Sequence, residues 1–243
     1  MHDTLRLNAP RKPRMIAHRG LSGLETENTH AAFVAAGNRS YFGIETDVHV
    51  TADGGLIVIH DDDTGRVADE RLVVEQSPFA ALRALRLRDV DGGAGRPDLM
   101  LPSLEEYALL CRKYQKISVL ELKNPMAPEA IDRVVATMRA AGWLEHAIFI
   151  SFALENLARL RARLPGQKLQ YLVGSAERWD EVLAALERYR LDLDAHFPLL
   201  TAEKLRQVHA LGQEVNAWTV NALADAERLA AMGVDYLTTN VIE

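Results

Sequence analysis

The chain has 243 residues, 48% hydrophobic and 26% charged, a composition typical of a folded globular protein rather than a disordered one. Its formal net charge is −6 at pH 7, and no run of Lys and Arg is interleaved with aromatic residues, which argues against a nucleic-acid partner. The single cysteine, Cys111, excludes an intrachain disulfide. Neither a signal-peptide core nor a stretch of about 18 apolar residues occurs, so we expect a cytoplasmic protein without a stable membrane anchor.

Apolar β-type runs alternate with amphipathic helical patterns along the chain. The alternation predicts parallel strands joined by right-handed crossovers, and eight strands are the number that closes a barrel. We therefore predict an α/β fold, a (β/α)8 TIM barrel. An open doubly wound sheet is the alternative, although no Gly-x-Gly-x-x-Gly follows the first strand. The predicted strands are 14–18, 43–49, 117–123, 147–152, 169–173, 193–196, 214–219 and 236–239, and the predicted helices are 29–36, 103–114, 128–141, 154–164, 178–190, 201–211 and 222–232.

Several predicted helix ends carry capping residues. Ser103 and Glu106 resemble a capping box, and Thr201 stands where an N-cap would precede a helix. Glycines stand just past three further predicted helix ends, at Gly142, Gly212 and Gly233. These signals support the predicted helix boundaries.

The stretch 43–61 is predicted to form a β-hairpin arm, because two β-type apolar runs flank a turn at 52–55. Glu45 and Asp47 are two residues apart on the first arm, so both carboxylates point to the same face. A turn centred in that loop sets a register that places Asp47 opposite His60. This short segment is therefore expected to bring two acids and an imidazole together.

A single domain over residues 1–243 is expected, with a small insertion, 61–101, after the second strand. The insertion has one weak helical pattern at 78–85, and so long a connection in a compact domain is usually functional. No eighth outer helix follows the last predicted strand. The N-terminal dozen residues, or a partner subunit, are expected to cover that side, and the sequence leaves a homo-oligomer open.

Acidic and basic residues stand at the C-terminal ends of the predicted strands, where a (β/α)8 barrel has its active site. Glu121 and Lys123 interrupt the apolar strand 119–124 and share a face, so both are expected in the barrel mouth. With Glu45 and Asp47, Glu121 gives a set of carboxylate oxygens that suits Mg²⁺ or Ca²⁺, with Mn²⁺ as a further choice. Zinc is disfavoured, because no His or Cys cluster has ligand spacing.

His18 and His60 are the candidate proton-transfer groups, since imidazole has an ordinary pKa near ~6.5 and can act as acid or base at neutral pH. Arg19 offers a planar bidentate donor for a phosphate or a carboxylate. A metal, two histidines, an arginine and a lysine together suit phosphoryl transfer. The alternative is that the charged side chains form only structural ion pairs, Glu121 with Lys123 and Arg19 with Glu27 or Asp47.

Taken in order, the motifs of this chain resemble those of the glycerophosphodiester phosphodiesterases. The resemblance runs from residue 14 to 240, and the ordered set is specific although each motif alone is weak. The motifs are Ile16-Ala-His-Arg-Gly20, Glu27-Asn-Thr29, Ile44-Glu-Thr-Asp-Val48, Thr51-Ala-Asp-Gly54, His60-Asp61, Leu101-Pro-Ser-Leu-Glu-Glu106, Glu121-Leu-Lys123, Ile150-Ser-Phe152, Ala217-Trp-Thr-Val-Asn221 and Val234-Asp-Tyr-Leu-Thr-Thr-Asn240.

The resemblance implies a (β/α)8 barrel with a small capping subdomain, and hydrolysis of a glycerophosphodiester to sn-glycerol 3-phosphate and an alcohol. A cyclic phosphate formed by a neighbouring substrate hydroxyl is an open alternative to direct attack by water. The resemblance implies a divalent metal on Glu45, Asp47 and Glu121, acid/base roles for His18 and His60, phosphate contact by Arg19, phosphate or glycerol contact by Lys123, and a glycerol pocket lined by Phe152 and Trp218.

The sequence departs from the family pattern in three places. Thr26 stands where proline usually precedes Glu-Asn-Thr, and Asn240 replaces a frequent aspartate. The segment Asp62-Asp-Thr-Gly-Arg66 stands in place of the usual Leu-x-Arg-Thr-Thr, next to the expected pocket.

Two other functions are weighed against glycerophosphodiester hydrolysis. One is a phospholipase D-type activity on lysophospholipids or sphingomyelin, which would use a similar metal and histidine pair. The other is a barrel that binds phosphodiesters without turnover, which predicts a damaged site. Both histidines and all three carboxylates are present, so an enzyme with a small-molecule substrate is the preferred hypothesis.

Overall fold

The computed structural model describes residues 3–93, 96–175 and 178–243. Eight parallel strands form a closed barrel, because the first, β1 (Arg14–Ala17), pairs with β2 (Gly43–Val50) on one side and with the last, β9 (Tyr236–Thr239), on the other. A short strand, β3 (Leu56–Val58), lies outside the barrel and is antiparallel to β2. The predicted fold class is confirmed. The barrel strands are β1 (Arg14–Ala17), β2 (Gly43–Val50), β4 (Ile117–Leu122), β5 (Ala147–Ser151), β6 (Lys168–Val173), β7 (Asp192–His196), β8 (Val215–Trp218) and β9 (Tyr236–Thr239).

Helices connect the barrel strands as predicted. Ser103 forms the capping box with Glu106, and the Thr201 hydroxyl accepts a hydrogen bond from the Lys204 backbone. Gly142, Gly212 and Gly233 all have positive φ just past helix ends, which glycine adopts without steric cost. The helices are α1 (His30–Gly37), α2 (Phe79–Arg83), α3 (Leu104–Tyr114), α4 (Pro128–Ala140), α5 (Leu154–Arg163), α6 (Trp179–Tyr189), α7 (Ala202–Ala210) and α8 (Leu223–Met232).

Two apolar layers hold the barrel together. The larger layer packs the outer helices against the outward faces of the strands. A smaller cluster fills the interior, since side chains alternate inward and outward along each strand. The interior cluster consists of Ile16, Val119, Ile148, Ile150, Leu172 and Tyr236.

An ionic network closes the N-terminal end of the barrel. Glu214 binds the side chains of Arg14 and Lys168 and accepts a hydrogen bond from the Tyr236 hydroxyl at 2.8 Å. The Arg14 guanidinium also lies 3.7 Å from the centre of the Tyr236 ring. Because this end is filled, access to the barrel interior is from the C-terminal ends of the strands.

The register predicted for the hairpin is wrong by one residue. Asp47 lies opposite Ile59, whose N–H donates to the Asp47 carbonyl oxygen at 3.2 Å, rather than opposite His60. The loop has an odd number of residues: the N–H of Thr51 donates to the carbonyl of Gly55, and Gly54 has φ +82°. A turn that ends in a left-handed residue adds one position to the loop and shifts the pairing.

The insertion after the hairpin has a small apolar core of its own. It contains a 3-10 turn (Val74–Gln76) and α2, and the weak helical pattern predicted at 78–85 is therefore present as a helix. Residues 94 and 95 of this segment lie outside the described residues. The core is formed by Ile57, Ile59, Ala68, Val74, Leu82, Leu85, Leu87, Leu99 and Leu101.

The N-terminal segment packs beside the last strand, where no outer helix follows. The N–H of Leu5 donates to the Val241 carbonyl, and that of Leu7 donates to the Glu243 carbonyl. Leu7 is buried in the main core. Within the described part of the chain, no helix is both long enough and apolar enough to cross a membrane.

Candidate active site

A cavity of about 180 Å³ opens at the C-terminal mouth of the barrel. Seven of the nine predicted site residues line it, and the other two, Asp47 and Lys123, are ion-paired to lining residues at its edge. One wall is charged and the opposite wall is apolar. The lining residues are His18, Arg19, Glu45, His60, Glu121, Ile150, Phe152, Leu172, Asp194, Trp218, Thr219 and Thr238.

Three carboxylates meet at the charged wall. Glu45 and Asp47 lie two residues apart on β2 and therefore share one face of the strand. Glu121 is the register partner of Asp47 on the adjacent strand β4. One ligand oxygen from each lies within 4.8 Å of the others, and all three residues are buried. Among the described residues, the Oδ1 atom of Asp47 has no hydrogen-bond partner. This donor set fits a hard divalent cation.

The three carboxylates at this wall have shifted pKa values, because they are buried and close to one another. Burial and then the charge of Asp47 raise the pKa of Glu45 well above its ordinary value and that of Glu121 to about 7. Burial also acts to raise the pKa of Asp47, but Arg19 and Lys123 outweigh it and lower that pKa to about 2. A bound cation would let all three carboxylates ionise.

Arg19 and Lys123 supply the positive charge beside the carboxylates. Arg19 adopts a left-handed backbone conformation (φ 54°), which lets its N–H donate to Glu45 Oε2 at 2.7 Å. Its guanidinium binds Glu27 at 2.9 Å and lies 3.6 Å from Asp47, while Lys123 Nζ lies 2.9 Å from Glu121. The ion pairs of the structural alternative are therefore present, and both Arg19 and Glu121 nevertheless line the cavity.

His18 and His60 line the same cavity, and an oxygen acceptor engages Nδ1 of each ring. His18 Nδ1 lies 2.7 Å from Asn240 Oδ1, and His60 Nδ1 lies 2.6 Å from Asp61 Oδ1. Burial, reinforced by the charge of Arg19, lowers the pKa of His18 to about 4. Burial is also the main cause that lowers the pKa of His60. With Nδ1 engaged in each ring, Nε2 is the atom left to take up or release a proton.

An aromatic pair borders the apolar wall. Phe152 and Trp218 pack edge to face with ring centres 5.8 Å apart, and Phe152 is 48% exposed at the rim. The Trp218 indole N–H donates to the Asp194 carbonyl oxygen at 3.1 Å, which fixes the ring against β7. Ile150 and Leu172 complete this wall.

Arg66 of the insertion connects two loops of the charged wall. Its guanidinium donates to Asp61 Oδ2 at 2.6 Å and to both carboxylate oxygens of Glu27 at 2.8 Å. Asp61 in turn contacts His60, and Glu27 contacts Arg19. The insertion therefore holds the surroundings of both His60 and Arg19.

Sequence reasoning missed three polar residues of the site. Asn28 donates to Asp47 Oδ2 at 2.8 Å. Its backbone has a positive φ (54°), which asparagine adopts more readily than most residues, so the residue type was the one sequence signal for this position. Asn240 was placed at the end of the last predicted strand, but without a role, because its contact with His18 spans 222 residues of sequence. Asp194 gave one signal, a carboxylate between the two apolar strand residues Leu193 and Ala195.

Comparisons with known proteins agree with this geometry. A sequence model of the glycerophosphoryl diester phosphodiesterase family matches residues 18–243. A glycerophosphodiester phosphodiesterase of Caldanaerobacter subterraneus subsp. tengcongensis is 29% identical, with 94% of each chain covered. An Oleispira antarctica phosphodiesterase solved with its product sn-glycerol-3-phosphate superimposes with a TM-score of 0.85 at 28% identity, covering 94% of this chain and 93% of that one.

A glycerophosphodiester phosphodiesterase from Parabacteroides distasonis is also similar, with a TM-score of 0.77 at 26% identity, covering 98% of this chain and 94% of that one. The fold and the cavity define a (β/α)8-barrel enzyme of the phosphoric diester hydrolase class. The chain belongs to the glycerophosphoryl diester phosphodiesterase family, which confirms the predicted family.

Proposed function

We propose that this protein hydrolyses glycerophosphodiesters to sn-glycerol 3-phosphate and an alcohol. The observation that carries the proposal is one cavity lined by two histidines and bordered by three clustered carboxylates. Family membership and the product complex of the Oleispira antarctica relative support the same substrate class.

Glu45, Asp47 and Glu121 would hold the divalent cation, Mg²⁺, Ca²⁺ or Mn²⁺. Two features of this chain fit such an ion. Asp47 Oδ1 has no hydrogen-bond partner among the described residues, and the pKa of Glu121 is raised. When bound, the cation supplies positive charge that stabilises the anionic transition state of phosphodiester cleavage.

The remaining charged side chains place the phosphate and move protons. Arg19 lies at the cavity with its Nε atom 3.6 Å from Asp47 and can turn its fork of N–H donors to phosphate oxygens. Lys123 adds a second positive charge beside Glu121. Of His18 and His60, one takes the proton of the attacking oxygen on its Nε2 atom, and the other gives a proton from its Nε2 atom to the leaving oxygen. The ring that acts as the acid must first be protonated, which the negative charge of a bound phosphate favours.

The size and walls of the cavity favour a small polyol ester over a lipid. About 180 Å³ is below the range of pockets that enclose drug-sized ligands, roughly 300–1,000 Å³. The apolar wall formed with Phe152 and Trp218 gives the carbon skeleton of glycerol a surface to pack on. The alcohol leaving group would then lie towards the rim.

The test is an assay of glycerol 3-phosphate release with several glycerophosphodiester head groups, with and without a chelator. We expect release from water-soluble glycerophosphocholine that the chelator abolishes and added metal restores. Choline release from micellar lysolipid alone would favour the phospholipase D-type activity. No turnover of any phosphodiester in the presence of metal would contradict the proposal.

A further inference from the structure

Asp194 is a buried acidic residue that lines the cavity and has no role in the reaction proposed above. It is 2% exposed and lies on β7, whose neighbours place Leu172 on one side of it and Asn216 on the other. Asp194 lines the cavity, and its Oδ1 atom is buried without a hydrogen-bond partner within the described chain. A buried polar atom without a partner is costly and usually has a functional reason.

The neighbours of Asp194 show what could satisfy that oxygen. The Asn216 amide donates to Gln170 at 3.4 Å and accepts from Thr238 at 3.1 Å. Its hydrogen-bonding proximity to Asp194 acts to lower the pKa of that carboxyl, but burial and the charge of Glu121 outweigh it. On the cavity side the surroundings are apolar, with Leu172 and Trp218. Among the described lining residues, Asp194 is therefore the one ionisable group on the otherwise apolar wall. Its strand, β7, lies across the barrel from β2, which carries Glu45 and Asp47.

A second cation is a poor occupant for this position. Among the described residues, one group of three acidic, His or Cys side chains is close enough together to hold a metal ion. That group is Glu45, Asp47 and Glu121, and it does not include Asp194. Burial, and then the negative charge of Glu121, raise the pKa of Asp194 well above its ordinary value. A protonated carboxyl can donate one hydrogen bond and accept another, which matches an uncharged hydroxyl.

We propose that Asp194 forms a hydroxyl-binding subsite, which contacts a free hydroxyl of the polyol part of the substrate while the phosphate is held at the opposite, charged wall. The inference rests on the proposed function and deepens it. It predicts that Asp194 selects phosphate esters whose carbon chain carries a hydroxyl over esters that lack one, because the unpaired oxygen would stay unsatisfied beside the latter.

The test compares the binding of sn-glycerol 3-phosphate and n-propyl phosphate by isothermal titration calorimetry on the metal-loaded protein. The two ligands share the phosphate and the three-carbon chain and differ in the hydroxyls. Asp194→Leu should reduce the preference for glycerol 3-phosphate roughly tenfold, the size of one lost hydrogen bond to a buried group. Asp194→Asn, which keeps hydrogen-bonding capacity, should retain most of the preference.

Asp192→Asn is the matched control. Asp192 lies two residues earlier on β7 and pairs with Lys168 at the filled end of the barrel, so its replacement should leave the preference unchanged. If Asp194→Leu does not fold, Asp194→Ala gives the same comparison. Equal affinity of the wild type for the two ligands, or an undiminished preference in the Leu or Ala variant, would overturn the inference.

Turnover of glycerophosphocholine by the same wild-type preparation separates this inference from the proposed function. Turnover combined with an unchanged ligand preference in the variants removes only the hydroxyl subsite. Absence of wild-type turnover with every glycerophosphodiester removes the proposed function itself.

Discussion

The Nε2 atoms of His18 and His60 are the proton-transfer atoms that the proposed reaction requires. Replacing either residue with alanine should lower kcat by about 10²–10⁴-fold, the usual contribution of a general acid or base. Steady-state kinetics on glycerophosphocholine measures this loss. His30→Ala is the control, because His30 lies on α1 and contacts Glu106 outside the cavity; equal losses in all three variants would contradict the assignment.

Asn240 contacts the imidazole of His18, whose pKa is lowered mainly by burial. Its side-chain oxygen accepts from Nδ1 without adding a negative charge, whereas an aspartate there would favour the imidazolium. Asn240→Asp should therefore raise the pKa of His18 by about one unit or more, and the limb of the pH–rate profile that His18 governs should move to higher pH.

The pH profile of kcat/KM, together with an NMR titration of the imidazole, measures that shift. Asn240→Ala removes the hydrogen bond without adding charge, so its activity should fall without the upward shift. An unchanged pKa of His18 in Asn240→Asp would show that the contact does not set its charge.

At the level of elements, the hairpin β2–β3 carries two of the three carboxylates and leads into His60. Its loop needs Gly54 in the left-handed region (φ +82°), where other L-residues are strained. Gly54→Ala should lower the free energy of unfolding by about 1 kcal/mol, measured by urea denaturation.

Gly166 provides the comparison for Gly54. It has no positive φ, and a Cβ there would meet no described atom within 4 Å, so Gly166→Ala should stay within about 0.5 kcal/mol of wild type. Equal effects of the two substitutions would show that the loop conformation is not what Gly54 supplies.

Strands, helices and the three-carboxylate cluster were predictable because each depends on local pattern and on the rule that parallel strands end together. The hairpin register was not, since one extra loop residue, hidden in Asp53-Gly54-Gly55, shifts every pair. The hydrogen-bond partners of His18 and Asp47 could not be predicted from the sequence either. Asn240 and Asn28 reach them through tertiary packing, which single-sequence periodicity does not encode.

For the whole molecule, buried acids make the metal-free protein sensitive to pH. Glu121 has a folded pKa of about 7, above its ordinary value, so the folded state holds a proton that the unfolded state has lost. Stability from this group is present at low pH and lost as pH rises through 7. The pKa of His18 is lowered to about 4, so this residue makes stability rise with pH, but only below its ordinary pKa of 6.5.

Above about pH 6.5, the raised pKa of Glu121 therefore affects stability without the opposing effect of His18. Between pH 6.5 and 8, the Tm of the chelator-treated protein should fall, and added Mg²⁺ or Mn²⁺ should restore it, because a cation stabilises the ionised carboxylates. Differential scanning calorimetry measures both effects. A metal-free Tm that rises across this window would contradict the pKa raised at Glu121.

A calorimetric titration of the chelator-treated protein with Mn²⁺, at pH 6 and pH 8, tests most directly whether Glu45, Asp47 and Glu121 bind one cation. We predict one site per chain, tighter at pH 8 because proton release from Glu121 is then complete, and lost in Asp47→Asn. Binding that is absent in the wild type, or that persists unchanged in Asp47→Asn, would contradict the account.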